Sequence, residues 1–102
     1  MTTDWIRTLK EAGILARETR AAMLKLFESD VLSVDQAERL LDAISELSDE
    51  FDDTLAQLYE NDSTDEELLA AAEAIEDLWS ELCYLCIEKV RALRQHPPIK
   101  LN

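Results

Sequence analysis

The most reactive side chains in this sequence belong to two cysteines and one histidine. Cys83 and Cys86 form a Cys-x-x-Cys pair, and His96 is the only histidine. This spacing of thiols occurs at strand-to-helix turns that exchange disulfides, and as half of a tetrahedral zinc site. Here the pair lies inside a helical pattern, and the chain offers too few further ligands. We expect both cysteines to be small apolar residues with reduced thiols. A dimer bridged by a metal through both cysteines is a weaker alternative.

No other combination of residues forms a catalytic set. The histidine precedes Pro97-Pro98, and the sequence has no Glu-x-x-His pair and no glycine-rich phosphate loop. Such patterns are typical of dimetal helical bundles and of nucleotide sites. Nothing suggests a Ser-His-Asp or Cys-His arrangement either. We therefore expect a protein without enzymatic activity, cofactor or bound metal.

Carboxylates dominate the remaining chemistry of the chain. There are 23 acidic and 10 basic residues, a net charge of −13. Residues 31–62 contain ten acids and one base, whereas residues 1–30 are balanced at five of each. A chain of this charge repels nucleic acids and anionic membranes and favours positively charged protein surfaces. We expect the partner to be a larger protein with a basic surface, with no direct contact to nucleic acid or membrane.

The composition predicts one all-α domain. The chain has 102 residues, of which 47% are apolar, and it contains one glycine and two prolines. This is too apolar for a disordered acidic segment and too poor in turn residues for a β fold. No signal peptide is evident and the longest apolar run has six residues, so we expect a cytoplasmic protein.

Apolar residues at alternating spacings of three and four predict three helices, at about 3–29, 33–60 and 64–95. Ser33 with Gln36, and Thr64 with Glu67, form capping boxes at the starts of the second and third helices. In the first helix the heptad positions are Trp5, Leu9, Ala12, Ala16, Thr19, Met23 and Leu26. Short connections predict an elongated antiparallel three-helix bundle over residues 1–96, followed by an extended tail at 97–102. A bundle completed by a second copy is the alternative.

The second helix carries its acids opposite its apolar positions at 100° per residue. The acidic stripe, as we name this set, consists of Asp35, Glu38, Asp42, Glu46, Asp49 and Asp53. Like charges at i, i+4 destabilise a helix slightly, and a face that serves only solubility usually mixes signs. The stripe could bind a basic groove by imitating a phosphate backbone. An ordinary solvated face is the alternative.

The third helix has a second candidate surface, because residues 79–90 are apolar on more than one side. A helix that is apolar beyond its core stripe often contacts a partner as well as its own core. The residues predicted for this oligomer or partner interface are Trp79, Cys83, Tyr84 and Ile87.

These features together predict a small acidic binding protein that inhibits or regulates a larger protein, for example by covering a basic or nucleic-acid-binding surface. Phage-encoded inhibitors of defence nucleases, antiactivators of transcription factors and immunity proteins of basic toxins share this size and charge, although no motif links them to this chain. The alternative is a structural homo-oligomeric scaffold or accessory subunit that uses the apolar face of the third helix.

Overall fold

The computed structural model describes residues 4–60 and 65–95 and contains three α-helices. They are α1 (Trp5–Phe27), α2 (Val34–Glu60) and α3 (Glu66–Gln95). The molecule is elongated, with principal extents of 62 × 21 × 19 Å. The predicted elongated all-α three-helix bundle is therefore confirmed. The predicted tail at 97–102 lies outside the described residues.

Each helix begins at a polar side chain that accepts hydrogen bonds from first-turn amide groups. These caps are Asp4, Ser33 and Asp65. The capping box of Ser33 is confirmed, because its backbone N–H donates to Gln36 Oε1 at 2.9 Å and its Oγ accepts from the Gln36 amide at 3.1 Å. In α3 the carboxylate of Asp65 accepts from the backbone amides of Glu67 and Leu68 at 2.9 and 3.3 Å. The capping box predicted at Thr64 lies outside the described residues.

The core is organised around α3, which packs along both other helices, whereas α1 and α2 scarcely approach each other at the backbone. The largest fully buried side chains are Trp79, Met23, Ile44, Leu58, Leu82 and Cys86. A smaller cluster around Leu32 and Val90 closes the end of the bundle where α1 turns into α2. Within the described ranges, no helix has the length and apolarity needed to cross a bilayer.

One predicted core position is wrong. Leu26 was the last heptad position of α1, but it is 47% exposed, while Leu24 and Phe27 pack against the core instead. A straight helix has 3.6 residues per turn, so a strict heptad drifts by about 20° per repeat. Over the three repeats that separate Trp5 from Leu26, this drift carries the leucine off the buried side.

Helices α1 and α3 run parallel, in a register that two contacts fix. The Cys86 thiol lies 3.4 Å from Met23 Sδ, a sequence separation of 63, and Lys89 Nζ lies 3.3 Å from the Phe27 carbonyl oxygen, a separation of 62. The Lys89 ammonium also lies 5.7 Å from the centre of the Phe27 ring. A residue of α1 is therefore level with the α3 residue 62 or 63 positions later.

Candidate protein-binding surface

The packing of α2 determines where its charges lie. Ile44, Phe51 and Leu55 are buried against the rest of the bundle, so the opposite side of the helix faces outward. Five members of the acidic stripe are exposed and Glu38 is half-buried. The predicted stripe is thus a continuous outer face of α2.

Ion pairs neutralise one end of the acidic stripe. Asp35 Oδ2 lies 3.0 Å from the Arg39 guanidinium, and Glu38 pairs with Arg94 of α3. The other four carboxylates have no cation within ion-pair distance among the described residues. These unpaired members are Asp42, Glu46, Asp49 and Asp53. The stripe therefore divides into a paired end and an unpaired segment.

The unpaired segment has a regular geometry that comes from the helix itself. Steps of three and four residues separate neighbouring carboxylates by about 5–6 Å, and the eleven-residue interval from Asp42 to Asp53 extends about 16 Å along the axis. Glu60, seven residues after Asp53, is also exposed and continues the same line. Glu60 was not predicted as part of the stripe, although its heptad spacing from Asp53 was a sufficient signal. Such a row of fixed negative charges attracts an extended basic surface.

The predicted third-helix interface divides into buried and exposed residues. Trp79 is only 2% exposed and belongs to the core, so its indole ring is not available to a partner. It is buried because its position coincides with the packing side of α3, between α1 and α2. Cys83 is half-buried, whereas Tyr84 is 60% and Ile87 43% exposed. An interface through Tyr84 and Ile87 stays a prediction.

The two predicted surfaces meet in a groove between α2 and α3. This groove has a volume of about 540 Å³. It is lined by Glu38, Leu41 and Asp42 from α2 and by Ile87, Val90, Arg91, Arg94 and Gln95 from α3. Asp42 belongs to the unpaired segment of the acidic stripe, and Ile87 to the exposed part of the third-helix surface. The antiparallel packing of α2 on α3 brings them together, which the sequence, read one helix at a time, did not predict.

Both cysteines pack as apolar residues, Cys86 within the core and Cys83 against it. Cys86 is 1% exposed, and its thiol donates to Met23 Sδ at 3.4 Å. Burial, with a smaller contribution from the charge of Cys83, raises the pKa of the Cys86 thiol to about 11. A thiol of this pKa is a poor nucleophile at neutral pH, because the thiolate is the reactive form. Burial of Cys86 also leaves a metal-bridged dimer without half of its ligands.

Within the described ranges, no group of three or more histidine, cysteine or acidic side chains could hold a metal ion. The arrangement that these residues do provide is a row of exposed carboxylates beside a groove whose lining is partly apolar and partly charged. It can attract cations and bury apolar side chains of a partner.

Comparison with known protein families, with curated proteins and with solved structures finds no match. The interpretation of this surface therefore rests on its physical chemistry.

Proposed function

We propose that this protein is a non-enzymatic inhibitor or regulator that binds a basic surface of a larger protein through the acidic stripe. The observation that carries the proposal is the unpaired segment from Asp42 to Asp53 on the outer face of α2. If the partner uses that basic surface to bind nucleic acid, the stripe competes for the same groove.

The energetics of α2 support a role in binding rather than in stability. The unpaired carboxylates are separated by three or four residues, the spacing at which like charges destabilise a helix. Three acids outside α2 do pair with bases, in Arg7–Glu11, Arg20–Glu81 and Arg91–Glu88, although other exposed acids such as Glu73 and Asp77 form no ion pair among the described residues. A basic partner would supply the missing cations and relieve the repulsion.

The neighbouring groove supplies the apolar contact that a stable complex requires. Interfaces obtain most of their binding energy from a few buried apolar or aromatic anchors, while charges at the rim mainly steer association. Ile87 and Leu41 line this groove beside Asp42. We propose that a basic segment of the partner lies along the stripe while an apolar residue enters the groove.

Neutralising the unpaired segment tests the proposal. The stripe variant carries Asp42→Asn, Glu46→Gln, Asp49→Asn and Asp53→Asn. Immobilised wild-type protein first captures the partner from cells that express the protein, and the affinity of the purified partner for each variant is then measured. We expect binding to weaken at least about hundredfold in the stripe variant, and to weaken with added salt in the wild type.

A matched control separates position from total charge. The control variant carries Glu18→Gln, Glu28→Gln, Asp30→Asn and Glu73→Gln, so both variants change the net charge from −13 to −9. All four control side chains are exposed and lie outside the stripe. We expect the control to bind like wild type. Equal affinity of the partner for the stripe variant and for wild type would refute the proposal.

A second candidate function is that of a structural homo-oligomeric scaffold or accessory subunit. It is favoured by the exposure of Tyr84 and Ile87 on α3, since tyrosine and branched apolar residues are common at interfaces. The double variant Tyr84→Glu with Ile87→Glu tests it. Loss of self-association in light scattering would favour the scaffold, and unchanged mass would count against it.

A further inference from the structure

A second groove lies on the opposite edge of the bundle, between α1 and α3. It consists of two adjoining hollows of about 500 and 380 Å³ that share Gly13 and Ile75 in their lining. No α2 residue lines either hollow. Ile6, at one end of the groove, is 70% exposed, which is a large apolar surface to leave in water.

Gly13 lies in the floor of this groove. It is the only glycine in the chain, and it lies in the interior of α1, where alanine would favour the helix. A Cβ atom at this position would meet Arg17 Nη1 and Ile75 Cδ1 at 3.6 Å, which is ordinary van der Waals contact. The packing of a single copy therefore does not require glycine at this position.

The two rims of the groove carry opposite charges. Lys10 and Arg17 lie on the α1 side, and four acids, Asp65, Glu67, Asp77 and Glu81, lie on the α3 side. Glu81 pairs with Arg20 at 3.6 Å, whereas Lys10, Arg17, Glu67 and Asp77 form no ion pair with another described residue. The groove thus combines an apolar floor with an unpaired basic rim and an acidic rim that, among the described residues, is paired only at Glu81.

We propose that a second copy of this chain docks on this groove, related by a two-fold axis parallel to the helices. Such an axis places α1 of each copy against α3 of the other, so the basic rim meets the acidic rim twice. A two-fold axis perpendicular to the helices would place α1 on α1 and oppose bases with bases. Charge complementarity therefore selects the parallel arrangement.

The register of the helices supports this pairing. Because α1 residues are level with α3 residues 62 or 63 positions later, Arg17 is level with the turn between Asp77 and Glu81. Rotation about a two-fold axis parallel to the helices does not change the position of a residue along the bundle axis. Arg17 of each copy then reaches Asp77 of the other copy.

The distribution of net charge also favours this edge. Each copy carries a charge of −13, so most contacts between copies are repulsive. The groove, however, lies on the edge opposite α2, and docking there keeps the two acidic stripes on the far sides of the dimer. This inference does not depend on the proposed function, although such a dimer would present two stripes in opposite directions.

Charge reversal at one contact tests the dimer. Wild-type protein at about 100 μM and about 0.15 M salt should sediment at twice the monomer mass of 11.6 kDa. Arg17→Glu alone and Asp77→Arg alone should each weaken dimerisation at least about tenfold, because each places like charges together. An equimolar mixture of the two variants should restore the dimer, since both contacts between unlike copies are then complementary.

Two controls make the result specific. Arg39→Glu changes the net charge by the same amount on the outer side of α2 and should leave dimerisation unchanged. Tyr84→Glu with Ile87→Glu should also leave it unchanged, because neither residue lines this groove. A wild-type protein that stays monomeric, a mixture that stays monomeric, or a dimer that only the Tyr84 and Ile87 changes disrupt would each overturn the inference. Circular dichroism of every variant checks that it is folded.

Discussion

The two long edges of the bundle differ in how their charged side chains are arranged. On the outer face of α2, four neighbouring carboxylates of one sign lack any cation among the described residues. On the α1/α3 edge, bases and acids lie on opposite rims of an apolar groove. The outer face of α2 repels the same face of another copy and attracts basic surfaces. The α1/α3 groove, in contrast, is complementary in charge to the same groove of a second copy. A single small bundle thus offers one surface suited to a foreign partner and another suited to self-association.

This difference shows why composition alone is a poor guide to binding. The net charge of −13 suggests that copies of the chain should avoid one another. However, α1 contains five bases and two acids and α3 ends in bases, so the acidic excess is concentrated on α2. Since screening limits surface electrostatics to about 8–10 Å at moderate salt, the charge of each edge matters more than the total.

The largest expected effect is a loss of stability when the core residue Trp79 is truncated. Trp79 lies between α1 and α2, with Ala12, Leu47 and Phe51 around the same small cleft. Trp79→Ala should lower the free energy of unfolding by about 4 kcal/mol, because it leaves a large cavity at the centre of the core. Urea denaturation measures this loss.

Tyr84→Ala is the matched control for Trp79→Ala, because it removes an aromatic ring from the exposed side of the same helix. Its effect should stay within about 0.5 kcal/mol. Equal losses from the two substitutions would contradict the assignment of Trp79 to the core and Tyr84 to the surface.

The next effect is a loss of stability at alkaline pH, which follows from the burial of Cys86 where α3 packs on α1. The pKa of Cys86 is raised from 9.0 to about 11, so the unfolded chain loses this proton at lower pH than the folded protein does. Stability should be constant below pH 9 with respect to this group and should fall by about 2 kcal/mol as the pH rises from 9 to 11. Denaturation at several alkaline pH values measures the fall.

Cys86→Val removes the titrating thiol and keeps an apolar side chain of similar size at the contact with Met23. The part of the alkaline decline that Cys86 causes should be absent from this variant. An identical decline in the variant and in wild type would show that burial of this thiol does not contribute.

A smaller effect contrasts the two ends of the acidic stripe. Neutralising Asp42, Glu46, Asp49 and Asp53 should stabilise the isolated protein by about 1 kcal/mol at low salt, because three like-charged neighbouring pairs are removed. Neutralising Asp35 and Glu38 should instead destabilise it slightly, since both are ion-paired. Thermal melts at low and high salt compare the two variants, and high salt should reduce both changes. Effects of the same sign would remove the distinction between the paired end and the unpaired segment.

The smallest effect sharpens the interpretation of the groove. Gly13→Ala should stabilise the monomer by about 0.5–1 kcal/mol, because alanine favours the helix and its methyl group has room at 3.6 Å. Denaturation at low protein concentration measures the monomer alone. A destabilised monomer would mean that glycine serves the internal packing of α1 on α3.

The sequence alone predicted the helices to within two residues at each end and the positions of the acids on α2. These depend on local rules: helical periodicity, hydrogen bonds of the Ser33 capping box, and the alternation of apolar and acidic residues along one helix. It failed at Leu26, where the accumulated difference between 3.5 and 3.6 residues per turn mattered. It also included Trp79 in the predicted third-helix interface, whereas this side chain is 2% exposed and packs between α1 and α2.

Only the tertiary structure decided which charges pair, which helices face each other and where grooves form. The Glu38–Arg94 pair joins residues 56 positions apart, and the meeting of Asp42 with Ile87 depends on the antiparallel packing of α2 on α3. The groove at Gly13 likewise requires the parallel register of α1 and α3. A single helix determines the pattern of its own faces, but contact between faces depends on how helices pack, and packing is a property of the whole core.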